Sequence, residues 1–177
     1  MEFFVEKKKV EPIPAGLHDA ILYSIIDLGT QYSTKFGTSS KKVMLTWELP
    51  EVLIEIDGQA FPKAINKEYT MSLTKKSNLY KDIKSYLGRD LKGEEASKFN
   101  LAELIDKPFK LQIIHNETTD GNIYANISIV LAGDTKKKRV NDLFLYNLAD
   151  KVHPPDHMPE WVAEKVRESE EFKEFNK

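Results

Sequence analysis

Hydrophobic and polar positions alternate along several stretches of the chain, and in one stretch the apolar positions recur at helical spacing instead. Residues 17–28 form a long β-branched and aromatic run without a helix cap, entered through Pro12, Pro14 and Gly16, and predict the first strand. Residues 42–49 alternate cleanly: Val43, Leu45, Trp47 and Leu49 share one face, with Lys42, Met44, Thr46 and Glu48 on the other. Between these strands, residues 30–42 are polar, with small residues around Phe36-Gly37, and predict a long exposed loop. Asp57-Gly58 is a turn signal, and residues 69–73 predict a short third strand. Ser77 is placed to cap a helix whose stripe Leu79, Ile83 and Leu87 ends at Gly88. A short helix over 101–105 follows, then strands over 109–115 and 122–131 joined through Asp120-Gly121. In the last strand Ile123, Ala125, Ile127 and Ile129 share a face, with Tyr124 and Asn126 opposite.

Three strands, a helix and a two-strand hairpin is the connectivity of the OB-fold, a five-stranded, partly open antiparallel barrel. Other small barrels and α+β sheets share the same coarse order. The expectation is a mainly β fold with minor α: a five-stranded OB-type barrel with a helix between strands 3 and 4, and an acidic C-terminal helix. Residues 1–12 read as a charged leader, 13–133 as the barrel domain and 134–158 as a linker stiffened by Pro154-Pro155. Residues 159–177 read as the acidic tail, with Pro159 opening a helix over 160–175.

Charge changes this picture once it is divided. The net charge of −2 hides a body, residues 1–141, with 21 Lys/Arg against 19 Asp/Glu, and an end, residues 142–177, with 5 against 9. A mildly basic body with an acidic end is compatible with a polyanionic partner, because binding follows local charge. With 41% hydrophobic residues the chain has material for an ordinary core. The absence of cysteine removes disulfide scaffolds and thiolate chemistry. The start of the chain lacks the apolar stretch of a secretory signal, and no run of about 18 apolar residues appears, so a cytoplasmic location without a membrane partner is expected.

No nucleophile elbow, phosphate-binding glycine loop or dinucleotide fingerprint is present. His153 and His157 stand at a metal-ligand spacing, but Pro154 and Pro155 prevent the helix that would align them, so no metal and no cofactor is expected. The chain reads as a non-enzyme.

The stretch 30–42 holds Tyr32, Lys35, Phe36, Lys41 and Lys42 without an acid. Flat aromatic faces for bases, interleaved with cations for phosphates, are what single-strand binders need. The same composition also suits a connector whose aromatics fold back on the barrel. A second basic stretch runs over 63–84, with Lys75 and Lys76 just ahead of the predicted helix; Tyr69 and Tyr124 are further stacking candidates. Trp47 shares parity with the core positions and belongs there. In the tail, Trp161, Glu170, Glu171 and Phe172 are the candidate contacts for a protein partner.

Several stretches, in order along nearly the whole chain, resemble a family of phage-encoded, replication-associated OB-fold single-stranded DNA-binding proteins. They include Pro14-Ala15-Gly16, Ile25-Ile26-Asp27-Leu28-Gly29-Thr30-Gln31, Trp47-Glu48-Leu49-Pro50, Tyr69-Thr70-Met71-Ser72-Leu73, Lys76-Ser77-Asn78-Leu79, Leu87-Gly88-Arg89, Tyr124-Ala125-Asn126-Ile127 and Pro159-Glu160-Trp161. The resemblance implies largely sequence-independent coating of single-stranded DNA in phage replication or recombination inside the host cytoplasm, without a catalytic site. Two uses of the acidic tail stay open: recruitment of replication or recombination proteins as an acidic amphipathic helix, or docking on its own barrel. The rival expectation is a protein-interaction module, the barrel serving as scaffold for the C-terminal helix.

Overall fold

The computed structural model of the chain describes residues 2–5 and 10–177, so part of the expected leader lies outside the described residues. Among the described residues there are six strands: β1 (Gly16–Ser33), β2 (Thr38–Ile56), β3 (Gln59–Thr70), β4 (Pro108–Glu117), β5 (Ile123–Ala132) and β6 (Phe144–Tyr146). Three α-helices, α1 (Asn78–Leu87), α2 (Glu160–Arg167) and α3 (Glu170–Phe175), and two 3-10 turns, Gly93–Ala96 and Leu101–Leu104, complete the fold. The sheet order is β3-β2-β1-β4-β5, antiparallel throughout, with β6 added parallel to β1. The sheet is not closed: β3 and β5 approach each other without a pairing register between them.

β1 serves two partners in succession. Its first part, from Gly16 to Ile21, pairs with β4, and Ser24–Ile26 pairs with β6. The register shift against β2 between Leu22 and Ser24 marks the handover. The segment expected as a linker thus carries a strand of the sheet. α1 begins at its Ser77 cap, which accepts from the Tyr80 N–H, and ends at Gly88 in the left-handed conformation, φ 67°. β2 and β3 turn over Asp57-Gly58, both at positive φ as a two-residue hairpin requires.

The expected long loop over 30–42 is instead mostly ladder. Thr30 pairs with Lys41, Tyr32 with Ser39 and Ser33 with Thr38, which leaves a four-residue turn over 34–37. Polar residues do not prevent a strand when each backbone donor finds an acceptor across the hairpin.

A core lies on each face of β1 and β2. On one face, Leu22, Val43, Leu45, Trp47, Phe109 and Leu111 pack beneath Leu79 and Ile83 of α1. Phe109 is the centre of an aromatic cluster, edge-on to Trp47 at 5.7 Å and stacked on Tyr86 at 4.3 Å. On the other face, Ile26, Leu28 and Met44 pack against Tyr146 and Leu148, then against Met158, Val162 and Val166 around α2. This second core explains why Met44, expected on the polar face of its strand, is buried. Among the described residues no helix is long and apolar enough to cross a membrane.

Candidate functional site

The β1–β2 hairpin projects its turn into solvent. Tyr32 is 64% and Phe36 72% exposed, and the Lys35 ammonium sits 5.3 Å from the Phe36 ring centroid. The turn is closed by the Gly37 N–H donating to Ser33 O at 2.8 Å, with Gly37 at φ 62°. Two aromatic faces and a cation are therefore displayed on a backbone held by the ladder, and neither ring folds back onto the core.

Further down the hairpin, Lys41 pairs with Asp27 at 3.2 Å, and Lys42 donates to Thr70 Oγ1 at 2.7 Å. The Met71 N–H donates to Lys41 O at 2.8 Å, which binds the loop after β3 to the base of the hairpin. That loop leads directly to Lys75 and Lys76, both exposed, ahead of the Ser77 cap. The two basic stretches of the sequence are thereby neighbours.

Tyr69 does not belong to this surface. It is 2% exposed, its hydroxyl donates to Asp82 Oδ2 at 2.7 Å, and burial together with that carboxylate raises its pKa far above the ordinary value. Its alternation places it inward with Val43, its partner across β2, so it cannot stack on a base. Tyr124 is 54% exposed, but it lies on β5 opposite Asn116, near the β4–β5 turn and beyond the start of β1, whereas Tyr32 lies near that strand's end. Ile129 also departs from expectation. A register shift between Gln112 and Ile113 leaves Ser128 as an extra residue, so Val130 turns inward while Ile129 is 48% exposed.

Behind the hairpin opens a cleft of about 710 Å³. Three of its walls are the inner edge of β1–β2 with Asp27, Lys41 and Val43, the loop after β3 with Met71 and Leu73, and the segment 97–102 leading into the second 3-10 turn. Leu145 and Lys151 close it from the β6 side. Lys98, Phe99 and Lys151 carried no expectation from the sequence. The pair Lys98-Phe99 repeats the cation-aromatic pattern of Lys35-Phe36, but only the fold brings it to this cleft.

The tail is part of the fold. Helix breaking at Ser169 splits the expected single helix in two: Ser169, 0% exposed, accepts from the Phe172 N–H at 3.2 Å as the cap of α3. Glu171 accepts from both the backbone N–H and the hydroxyl of Thr30, each at 2.7 Å, and Glu170 accepts from Ser39 Oγ at 2.5 Å. Burial of the Glu171 carboxyl opposes its ionisation, but the two Thr30 donors and the nearby Lys41 charge outweigh that and hold its pKa below the ordinary 4.5. Phe172 packs on the second core and meets His153 edge-on at 5.7 Å. Three of the four residues expected to meet a protein partner are thus engaged with the chain itself, although Glu170 and Glu171 stay exposed, as does Trp161 at 48%.

Gly29 is where this docking requires glycine. Its φ is 70°, and a Cβ there would lie 2.5 Å from the Ser169 Cβ and 2.7 Å from Leu148 Cδ2. His157 meets Phe144 edge-on at 4.8 Å, whereas His153 meets Phe172 and Phe175. Among the described residues, no group of three His, Asp or Glu side chains stands ready to hold a metal. No protein-family model matches the chain, and no curated protein matches it significantly.

Proposed function

We propose that the protein is a non-enzymatic, largely sequence-independent single-stranded DNA-binding protein built on an OB-type barrel, acting in phage DNA replication or recombination. The barrel reading is supported by β1 lying between β2 and β4, by α1 standing between β3 and β4 in the chain, and by the approach of β3 to β5. OB-folds bind strands through the loop between their first two strands and the face beside it. The observation that carries the functional reading is the solvent-held Tyr32-Lys35-Phe36 turn running down to Lys41, Lys42, Lys75 and Lys76. Each stacked base contributes about 1–3 kcal/mol, and lysines placed along a backbone make the affinity salt-dependent.

The test is fluorescence anisotropy with labelled oligo-dT and an equal-length duplex, at two salt concentrations. Wild type should bind the single strand in preference to the duplex and weaken as salt rises. A Tyr32→Ala/Lys35→Ala/Phe36→Ala variant should lose about tenfold or more in affinity, since it removes two stacking faces and one cation. Absence of binding at both salt concentrations would overturn the reading. The protein-interaction alternative then stands, with the exposed Trp161 on α2 as its contact.

A further inference from the structure

Resting on the single-strand reading, we propose that the cleft behind the β1–β2 hairpin accepts one or two nucleotides of the bound strand, bases inserted and phosphates held at its rim. A volume of about 710 Å³ is in the range of sites that enclose a small organic ligand, which typically have about 300–1,000 Å³. Its walls have the two chemistries a nucleotide needs. Met71, Leu73, Phe99 and Leu145 offer apolar and aromatic surface, and Phe99 is only half-buried, so its ring is available to a planar ligand. Ser72 and Asn100 add hydrogen-bonding groups able to meet a base edge without selecting one base strongly.

Charge favours a polyanion as the occupant. Three lysines, Lys41, Lys98 and Lys151, line the cleft against two carboxylates, Asp27 and Asp150. Asp27 is engaged by Lys41, while Lys98 and Lys151 are exposed and have no ion-pair partner among the described residues. Two unpaired ammonium groups contributed by different segments of the cleft lining are suited to phosphates flanking an inserted base.

Continuity with the proposed surface is the remaining argument. Lys41 belongs at once to the hairpin and to the cleft wall, and the Met71–Leu73 wall runs on to Lys75 and Lys76. A strand stacked on Tyr32 and Phe36 and following the lysines of the hairpin therefore meets the cleft mouth. The tip then acts as an outer stacking platform and the cleft as an inner anchor.

The experiment uses the full chain with an oligo-dT carrying single 5-iodouracil substitutions, read by anisotropy and by mapping photo-crosslinks. A Lys98→Glu/Lys151→Glu variant changes only exposed side chains and leaves the core intact; Phe99→Ala is the companion variant. The expected result is crosslinking to Met71 or Phe99 in wild type, with affinity falling about tenfold or more in the charge variant at low salt. Wild-type binding with unchanged affinity in both variants, or crosslinks confined to Tyr32 and Phe36, overturns the cleft proposal and leaves the single-strand reading standing. No binding by wild type removes both.

Discussion

Glu48 is fully buried, yet its carboxylate is well provided for: the Val140 N–H donates at 2.7 Å, the Asn141 N–H at 2.9 Å and the Asn141 side-chain amide at 2.8 Å. The three donors belong to the segment that carries the chain from β5 across to β6, so one side chain on β2 fixes the path of that crossing. Arg139 secures the same segment from outside, bonding Asp106 at 3.0 Å and Asn141 O at 2.6 Å. Glu48→Gln keeps the shape but turns a donor toward donors. Burying an unmatched polar group costs about 1–3 kcal/mol, and a urea denaturation series should show a loss of that order without a change in slope. An unaltered midpoint would mean that the crossing is held by something else. Alternation assigns Glu48 correctly to the face opposite Trp47, but alternation cannot say that this face is covered by a distant segment. Trp47, packed edge-on against Phe109 of the same sheet, was legible from parity alone.

At the level of elements, what was readable depended on how local the cause was. The Ser77 cap, the Gly88 stop and the Asp57-Gly58 turn are set by neighbours within a few residues, and each was readable from the sequence. β6 was not: three residues, Phe144–Tyr146, become a strand only because β1 offers an unoccupied edge after β4 departs. The tip residues Tyr32, Lys35 and Phe36 were legible by composition, whereas Lys98, Phe99 and Lys151 join the site only through tertiary placement. α3 shows the same dependence on distant partners, and its attachment is sensitive to pH. The folded-state pKa of Glu171 is lowered, so its contribution is fully present above the ordinary value of 4.5 and fades as pH falls through the lowered one. Protection of the α3 amides from hydrogen exchange, taken relative to the intrinsic rate at each pH, should therefore fall below pH 4.5 before that of the sheet does, and Glu171→Gln should flatten that response. An α3 that exchanges at the same rate with and without the substitution would count against this carboxylate as its anchor.

For the molecule as a whole, the second core makes residues 159–177 structural. Removing them uncovers Ile26, Leu28 and Met44 and deletes the buried Val162 and Val166. Each fully buried aliphatic side chain of this size is worth about 1.5–3 kcal/mol, so the truncation should consume a large part of a domain's usual 5–15 kcal/mol. The measurable outcome is a lower Tm with binding of a hydrophobic dye, and a truncated chain as stable as the full one would show the tail to be a detachable arm. Glu171 has one more consequence. Beyond Ile26 the outer edge of β1 has no strand beside it, and a row of open backbone donors there would invite the same row of another copy. The carboxylate occupies the Thr30 N–H and α3 lies across its approach. The tail thereby serves as a built-in stopper against edge-to-edge pairing of the sheets of two copies.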